Sequence, residues 1–234
     1  MRGDYAALLF DMDGTLIDSM PLHHAAWRQW FALHGLSFDD AGFLAATAGR
    51  TNDEILRDLF PALDAAQRQS LADEKEALYR DAADRSLRMI AGAEAFLEAA
   101  SAAGLPLAIC TAAPPGNMQH AFARFGFDAR VQAVTSPADR PQHGGPADRL
   151  RGKPHPDVFE EAARRLGVPP SACLVFEDAP LGVEAARRAG MDAVALTTSM
   201  PAAAFQPYPN LRHTMADFVG FSLHQLTPRE QPHA

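Results

Sequence analysis

Apolar residues arrive along this chain in two rhythms. Short apolar runs of β type stand at YAALLF (5–10), LPLAIC (105–110), ARVQAV (129–134), ACLVFE (172–177) and DAVALTT (192–198). Runs of this length, bounded by turn residues, predict strands buried on both faces. Between the later ones lie NMQHAFARFG, HPDVFEEAARRLG and LGVEAARRAG, with apolar positions every three or four residues and a closing glycine. These predict helices that stop at glycine. Strand–helix alternation predicts an α/β fold, a doubly wound, Rossmann-like parallel sheet. Such sheets bind ligands beyond the carboxyl ends of their strands.

One stretch breaks the alternation. Residues 18 to 91 carry only helical patterns: LHHAAWRQWFALHG, AGFLAATAG, TNDEILRDLF and DAAQRQSLADEKEALYRDAADRSL. This predicts an α/β core domain made of residues 1–17 and 92–234, with an all-helical cap domain of residues 18–91 inserted after the first strand. The hinges fall near Ile17–Pro21 and Met89–Gly92. A cap so placed can cover a site and exclude water. The competing reading is an irregular all-α half of one domain. A Pro- and Gly-rich loop over residues 137–152 has no assigned role, and the polar ending TPREQPHA is expected to fray.

Composition narrows the class. The 234 residues suit one large domain or a core with a smaller insert. With 47% hydrophobic and 21% charged residues, the chain reads as an ordinary soluble globular protein. Its net charge of -8 argues against a nucleic-acid or membrane partner, because those need a basic surface. Cys110 and Cys173 each sit in an apolar run and read as core residues of a reducing, cytoplasmic protein. The N-terminal apolar run is too short for a signal peptide, and no apolar stretch is long enough to span a membrane.

Four short pieces, far apart in the chain, carry candidate chemistry. They are Asp11-Met12-Asp13-Gly14-Thr15 after the first strand, Thr111 after LAIC, Lys153 in RGKPHPD, and Glu177-Asp178 after LVF. Each alone has an ordinary explanation: a chance Asp-x-Asp, a strand-end threonine, a solvated lysine, a turn carboxylate. In this order and combination they point to one chemistry. Two carboxylates held close repel unless a positive charge stands between them or one is protonated. Asp11, Asp13 and Asp178 can gather around a hard divalent cation, and Mg²⁺ favours such oxygen ligands. Lys153 adds a second positive charge, Thr111 a hydroxyl donor for a phosphoryl oxygen, and Gly14 a close backbone approach. One carboxylate can then attack phosphorus, forming an aspartyl phosphate, while the other protonates the leaving oxygen and later activates water.

DMDGTLIDS, Thr111, GKP and FED in this order resemble the haloacid-dehalogenase-like (HAD) hydrolase superfamily, in the branch with a helical cap after the first motif. The resemblance covers roughly residues 5–200. It implies that Asp11 is the nucleophile and Asp13 the general acid/base. It implies Mg²⁺ bound by Asp11, the backbone carbonyl of Asp13, and Asp178, with Glu177 supporting the metal site. Thr111, its neighbour Ala112 and Lys153 would hold the transferring phosphoryl group. Dehalogenating members lack an aspartate at the position of Asp13, so its presence favours phosphoryl transfer.

Within that branch, His23-His24-Ala25-Ala26-Trp27 resembles the His-x-x-Ala-Trp of β-phosphoglucomutase-like sugar phosphatases. Gly49-Arg50-Thr51-Asn52-Asp53-Glu54 resembles their cap substrate loop, and Lys75 falls near a cap lysine. Plainer readings compete at each: Leu22, Trp27, Trp30 and Phe31 suit a buried helix face, His23 a satisfied helix residue, Arg50 a partner for a nearby acid, and Lys75 a solvated charged face. Asn52 stands where the mutases place an arginine for a distal phosphate, although Arg50 is two residues away. Ala113-Pro114-Pro115-Gly116-Asn117 replaces their polar Ser-Lys-Asn and lacks backbone donors at both prolines. The expectation is a Mg²⁺-dependent phosphatase of a small phosphorylated metabolite, a sugar or polyol phosphate, acting as a monomer or small homo-oligomer. A phosphosugar mutase and a non-catalytic phosphate-binding module are the alternatives.

Overall fold

Where the first apolar run ends, the first strand ends, and the carboxylates follow at once. In the computed structural model, which describes residues 5–47, 50–140 and 149–226, β1 is Ala7–Phe10 and every residue in it is buried. The other strands are β2 (Leu107–Cys110), β3 (Ala133–Thr135), β4 (Cys173–Glu177), β5 (Asp192–Leu196) and β6 (Leu211–Met215). All pair in parallel, in the order β3-β2-β1-β4-β5-β6. Phe10 stands opposite Ile109 on one side and Phe176 on the other.

The parallel sheet is as expected from the apolar runs, with two differences. The run at 129–134 becomes a strand only from Ala133, because Phe127–Ala129 turn as a 3₁₀ helix after Gly126. The sixth strand, LRHTM, carries no apolar run. It lies at the sheet edge, where half-exposed polar residues suffice, and β5 supplies its ladder.

The two faces of the sheet alternate with period two. On one face Ala7, Leu9, Cys173, Val175, Ala193 and Ala195 pack against α7 (Asp157–Leu166) and α8 (Pro180–Arg188), which contribute Val158, Phe159, Ala162, Val183 and Ala186. On the other, the rings of Phe10 and Phe176 stack with centroids 4.8 Å apart, and Phe96 of α5 (Ala93–Ala102) meets Phe176 edge-on at 5.3 Å. Cys110 and Cys173 are free and buried, and burial pushes both thiols up to about 12, as inert core residues require.

An ion-pair cluster fastens α7 to β3. Arg165 donates to the Val134 carbonyl and pairs with Asp139 at 3.0 Å and Glu161 at 2.8 Å; Glu161 also holds Arg164. The Arg164 hydrogen bond, opposed by partial burial and aided by Arg165, keeps the Glu161 carboxyl below its ordinary 4.5. A carboxyl depressed in the folded state stabilises the fold above its unfolded pKa and loses that contribution as pH falls. Glu161→Gln is therefore expected to cost about 1 kcal/mol at neutral pH. In urea melts the gap from wild type should narrow as the pH falls well below 4.5. A gap that persists there would mean the ion pairs are not its origin.

The chain divides into two compact units. One gathers the described residues up to Leu16 and from Met89 onward, and the other spans Ile17–Arg88. The second holds α1 (Met20–Leu33), α2 (Asp40–Thr47), α3 (Asn52–Leu59) and α4 (Ala65–Ser86). Capping boxes start α3, from Thr51 and Glu54, and α4, from Asp64 and Gln67. Trp27, Trp30, Phe31, Ile55, Leu56 and Ala72 form its apolar centre, so Trp27 is a core residue; Leu22 is only half-buried. Among the described residues no helix is long and apolar enough to cross a membrane. Residues 141–148 of the loop at 137–152, and the ending TPREQPHA, lie outside the described residues.

Candidate active site

The order of the strands reverses direction beside β1. After β3 the chain crosses back to form β4 on the far side of β1, so the loops leaving β1 and β4 diverge at one edge of the sheet. Ligands of doubly wound sheets bind at such a point. Asp11 leaves β1 there, its N–H donating to the Phe176 carbonyl at 2.9 Å, and Glu177 and Asp178 leave β4. All three side chains are buried, with residue exposures of 7%, 1% and 4%.

Lys153 reaches into this group from the segment ahead of α7. Its Nζ lies 2.5 Å from Asp11 Oδ1, 2.7 Å from Glu177 Oε1 and 3.0 Å from the Cys110 carbonyl. Burial alone would push the ammonium toward neutrality, but the carboxylates of Asp11 and Glu177 outweigh it and hold the charge. Glu177 is further fixed by the Ala179 N–H, which donates to Oε2 at 2.9 Å. Gly182 makes room for it: a Cβ there would stand 1.8 Å from Glu177 Oε1.

The charges do not balance. Burial pushes the Asp11 carboxyl well up, Lys153 pulls it down, and Glu177 and Asp178 push it up again. Burial also drives Asp178 up to about 8, with Glu177 adding to the rise. Three buried carboxylates thus face one ammonium, leaving an excess that one divalent cation would cancel. Among the described residues no three acidic, histidine or cysteine side chains form a ready metal cage. The donors expected for Mg²⁺ are instead two side chains and a main-chain carbonyl, a set suited to an ion that retains several waters.

Asp13 stands half-exposed at the start of the turn through Gly14. Gly14 has φ +79°, and a Cβ there would lie 2.1 Å from Asp178 Oδ2, so only glycine brings the turn against that carboxylate. Thr111 leaves β2 buried; its N–H donates to the Thr135 carbonyl at 3.0 Å, and its hydroxyl oxygen accepts from Ala113 N–H at 3.0 Å. That oxygen still has a hydrogen to give. Ala112 beside it is exposed.

In the helical unit the sequence candidates divide. Lys75 is buried, at 2% exposure, rather than solvated, because its Nζ donates to His23 Nδ1 at 2.7 Å and pairs with Glu76 Oε1 at 2.8 Å. Asn52 donates to the same Glu76 oxygen at 2.6 Å, and the His23 ring lies flat on Tyr79 at 3.8 Å. Arg50 pairs with Asp58 at 2.6 Å and donates to the Glu54 carbonyl at 3.1 Å; Gly49, next to it, is outside the described residues.

Residues that sequence reasoning passed over complete both groups. Glu76 and Tyr79 hold Lys75 and His23. After β5, Thr198 donates to the Gly14 carbonyl at 2.5 Å, and Ser199 donates to Asp178 Oδ2. The signal for the latter pair was a row of hydroxyl residues at the end of the predicted strand DAVALTT and just beyond it.

Comparison with known proteins agrees with this geometry. The family model for haloacid dehalogenase-like hydrolase matches residues 5–190. Hexitol phosphatase A of Escherichia coli is 34% identical over 96% of this chain and 94% of its own length. A β-phosphoglucomutase of Mycobacterium bovis is 32% identical over 94% of this chain and 90% of its own. A HAD hydrolase of family IA from Entamoeba histolytica superposes with a TM-score of 0.82 at 25% identity, covering 94% of this chain and 96% of that one. The chain belongs to the haloacid dehalogenase-like hydrolases. It is an enzyme of that family, with phosphatases among its relatives.

Proposed function

We propose that this enzyme hydrolyses the phosphate monoester of a small sugar or polyol phosphate, with Asp11 as nucleophile and Asp13 as general acid and base. The observation that carries the reading is the Lys153 clamp: an ammonium 2.5 Å from Asp11 Oδ1, at the switch point of the sheet, between buried carboxylates. An Asp11 oxygen attacks phosphorus, and the bond to the substrate oxygen breaks as Asp13 gives that oxygen its proton. Water then attacks the aspartyl phosphate, Asp13 takes a proton from it, and the phosphorus–Asp11 bond breaks to free inorganic phosphate. Lys153 and the Thr111 hydroxyl stabilise the phosphoryl oxygens, with the Ala112 backbone beside them. Mg²⁺ held by Asp11, Asp178 and the Asp13 carbonyl, when bound, supplies the positive charge that the carboxylates require.

The sugar or polyol class rests on the named relatives, hexitol phosphatase A and β-phosphoglucomutase among them. Lys75 is already countered by Glu76 and Arg50 by Asp58, which leaves little charge for a second phosphate. The test is phosphate release from hexose, pentose and polyol phosphates, with Mg²⁺ and with EDTA, alongside β-glucose 1-phosphate plus a bisphosphate primer. Metal-dependent release is the expected result. Isomerisation of the glucose phosphate without net release would identify a mutase instead, and silence across the panel would favour a phosphate-binding module.

A further inference from the structure

We propose that Ser199 is a positioning residue that fixes the Asp178 carboxylate for cation binding, and that Thr198 braces the adjoining turn. The inference rests on the Mg²⁺ reading above and concerns residues outside the motifs that define it.

The segment Thr197-Thr198-Ser199-Met200 leaves β5, the neighbour of β4, at the same edge of the sheet as Asp178. The Ser199 hydroxyl donates to Asp178 Oδ2, which is buried. Rotation of an aspartate carboxylate about its last torsion is broad and weakly restrained. A donor on one oxygen selects one orientation and leaves the other oxygen to be presented. Gly14 closes the arrangement from the opposite side: a Cβ there would come within 2.1 Å of Asp178 Oδ2 and 2.9 Å of Ser199 Oγ. Carboxylate, hydroxyl and turn therefore meet without spare room, and the hydroxyl cannot swing away into the turn.

Thr198 extends the brace. Its hydroxyl donates to the Gly14 carbonyl at 2.5 Å, one residue after Asp13. Two consecutive hydroxyls of one loop thus hold a candidate ligand and the turn that carries the Asp13 carbonyl. The positions of two of the three expected donors are thus set by one short segment. Groups that orient metal ligands in this way typically change metal affinity or activity about 10–100-fold when removed.

Calorimetric titration of Mg²⁺ into the metal-free, full-length protein tests this apart from turnover. Ser199→Ala is expected to weaken Mg²⁺ binding about tenfold, and Ser199→Thr, which keeps the hydroxyl, to retain wild-type affinity. If Ser199→Ala does not fold, Ser199→Cys serves in its place, because a thiol is a weak donor. A merely structural role for Ser199 would lower the metal-free melting temperature and leave the Mg²⁺ dissociation constant unchanged. Unchanged affinity in the hydroxyl-free variant, with Mg²⁺ binding normally to wild type, overturns this inference alone. Failure of wild type itself to bind Mg²⁺ overturns the metal reading and this inference with it.

Discussion

Asp11→Asn is expected to lower kcat by at least about 10⁴-fold, the scale seen when an enzyme loses a nucleophile that works as one unit with its partners. The same substitution should leave the melting temperature unchanged or raise it. Asp11 is buried beside Glu177 and Asp178, and burial and those carboxylates both oppose its charge. An amide of the same shape removes that repulsion, while the main-chain bond from Asp11 N–H to the Phe176 carbonyl remains. Activity lost with stability kept is the pattern of a site selected for chemistry against its own electrostatics. Thermal melts and phosphate release on one preparation decide it. An Asp11→Asn enzyme that retains most of its turnover would remove Asp11 from the nucleophile role.

Lys153→Ala should show the opposite pairing of effects, losing both activity and stability. Its ammonium is the shared counter-charge of Asp11 and Glu177, with a side chain only 8% exposed. Removing one partner from a buried ion pair leaves an uncompensated charge and costs about 3–5 kcal/mol. Proton uptake by the remaining acids holds the loss near the lower end, a fall of about 6–12 °C in melting temperature for a chain of this size. Turnover should fall about 10²–10³-fold, the loss typical of one preorganised donor to a developing anion. Lys153→Arg should not restore it, because a planar fork cannot gather Asp11 Oδ1, Glu177 Oε1 and the Cys110 carbonyl around one point. If Lys153→Ala melts like wild type, the clamp is not structural.

Much of the site was legible because parallel sheets collect their chemistry at strand ends. The apolar runs marked three of those ends, and Asp11, Thr111 and the pair Glu177-Asp178 stand at them. Lys153 was legible only through its motif, since nothing in its local pattern says that it reaches Asp11, 142 residues earlier. The pairing of Lys75 with Glu76 was hidden for a different reason. Adjacent residues on a helix do not face each other, so neighbouring opposite charges predict no contact. Here the two long side chains are buried together, Lys75 bonding Glu76 and His23, and Glu76 also accepting from Asn52. β6 escaped notice because an edge strand needs only a neighbour's ladder, and LRHTM has no apolar alternation to announce it. Ser199 could have been found by applying the strand-end rule to the fifth strand as well.

The strand order also governs the birth of the molecule. β1 is made before the other described strands, yet one of its two neighbours, β4, begins only at Cys173. Until then ALLF is an apolar strand with an open edge, the kind of segment on which nascent chains aggregate. The helical unit lies next in the chain and is closed by local contacts within Ile17–Arg88, so it can condense while the sheet still waits. The proposed active site is therefore completed late and at once: Asp11 gains Lys153, Glu177 and Asp178 only when those much later residues have been synthesised and docked beside it.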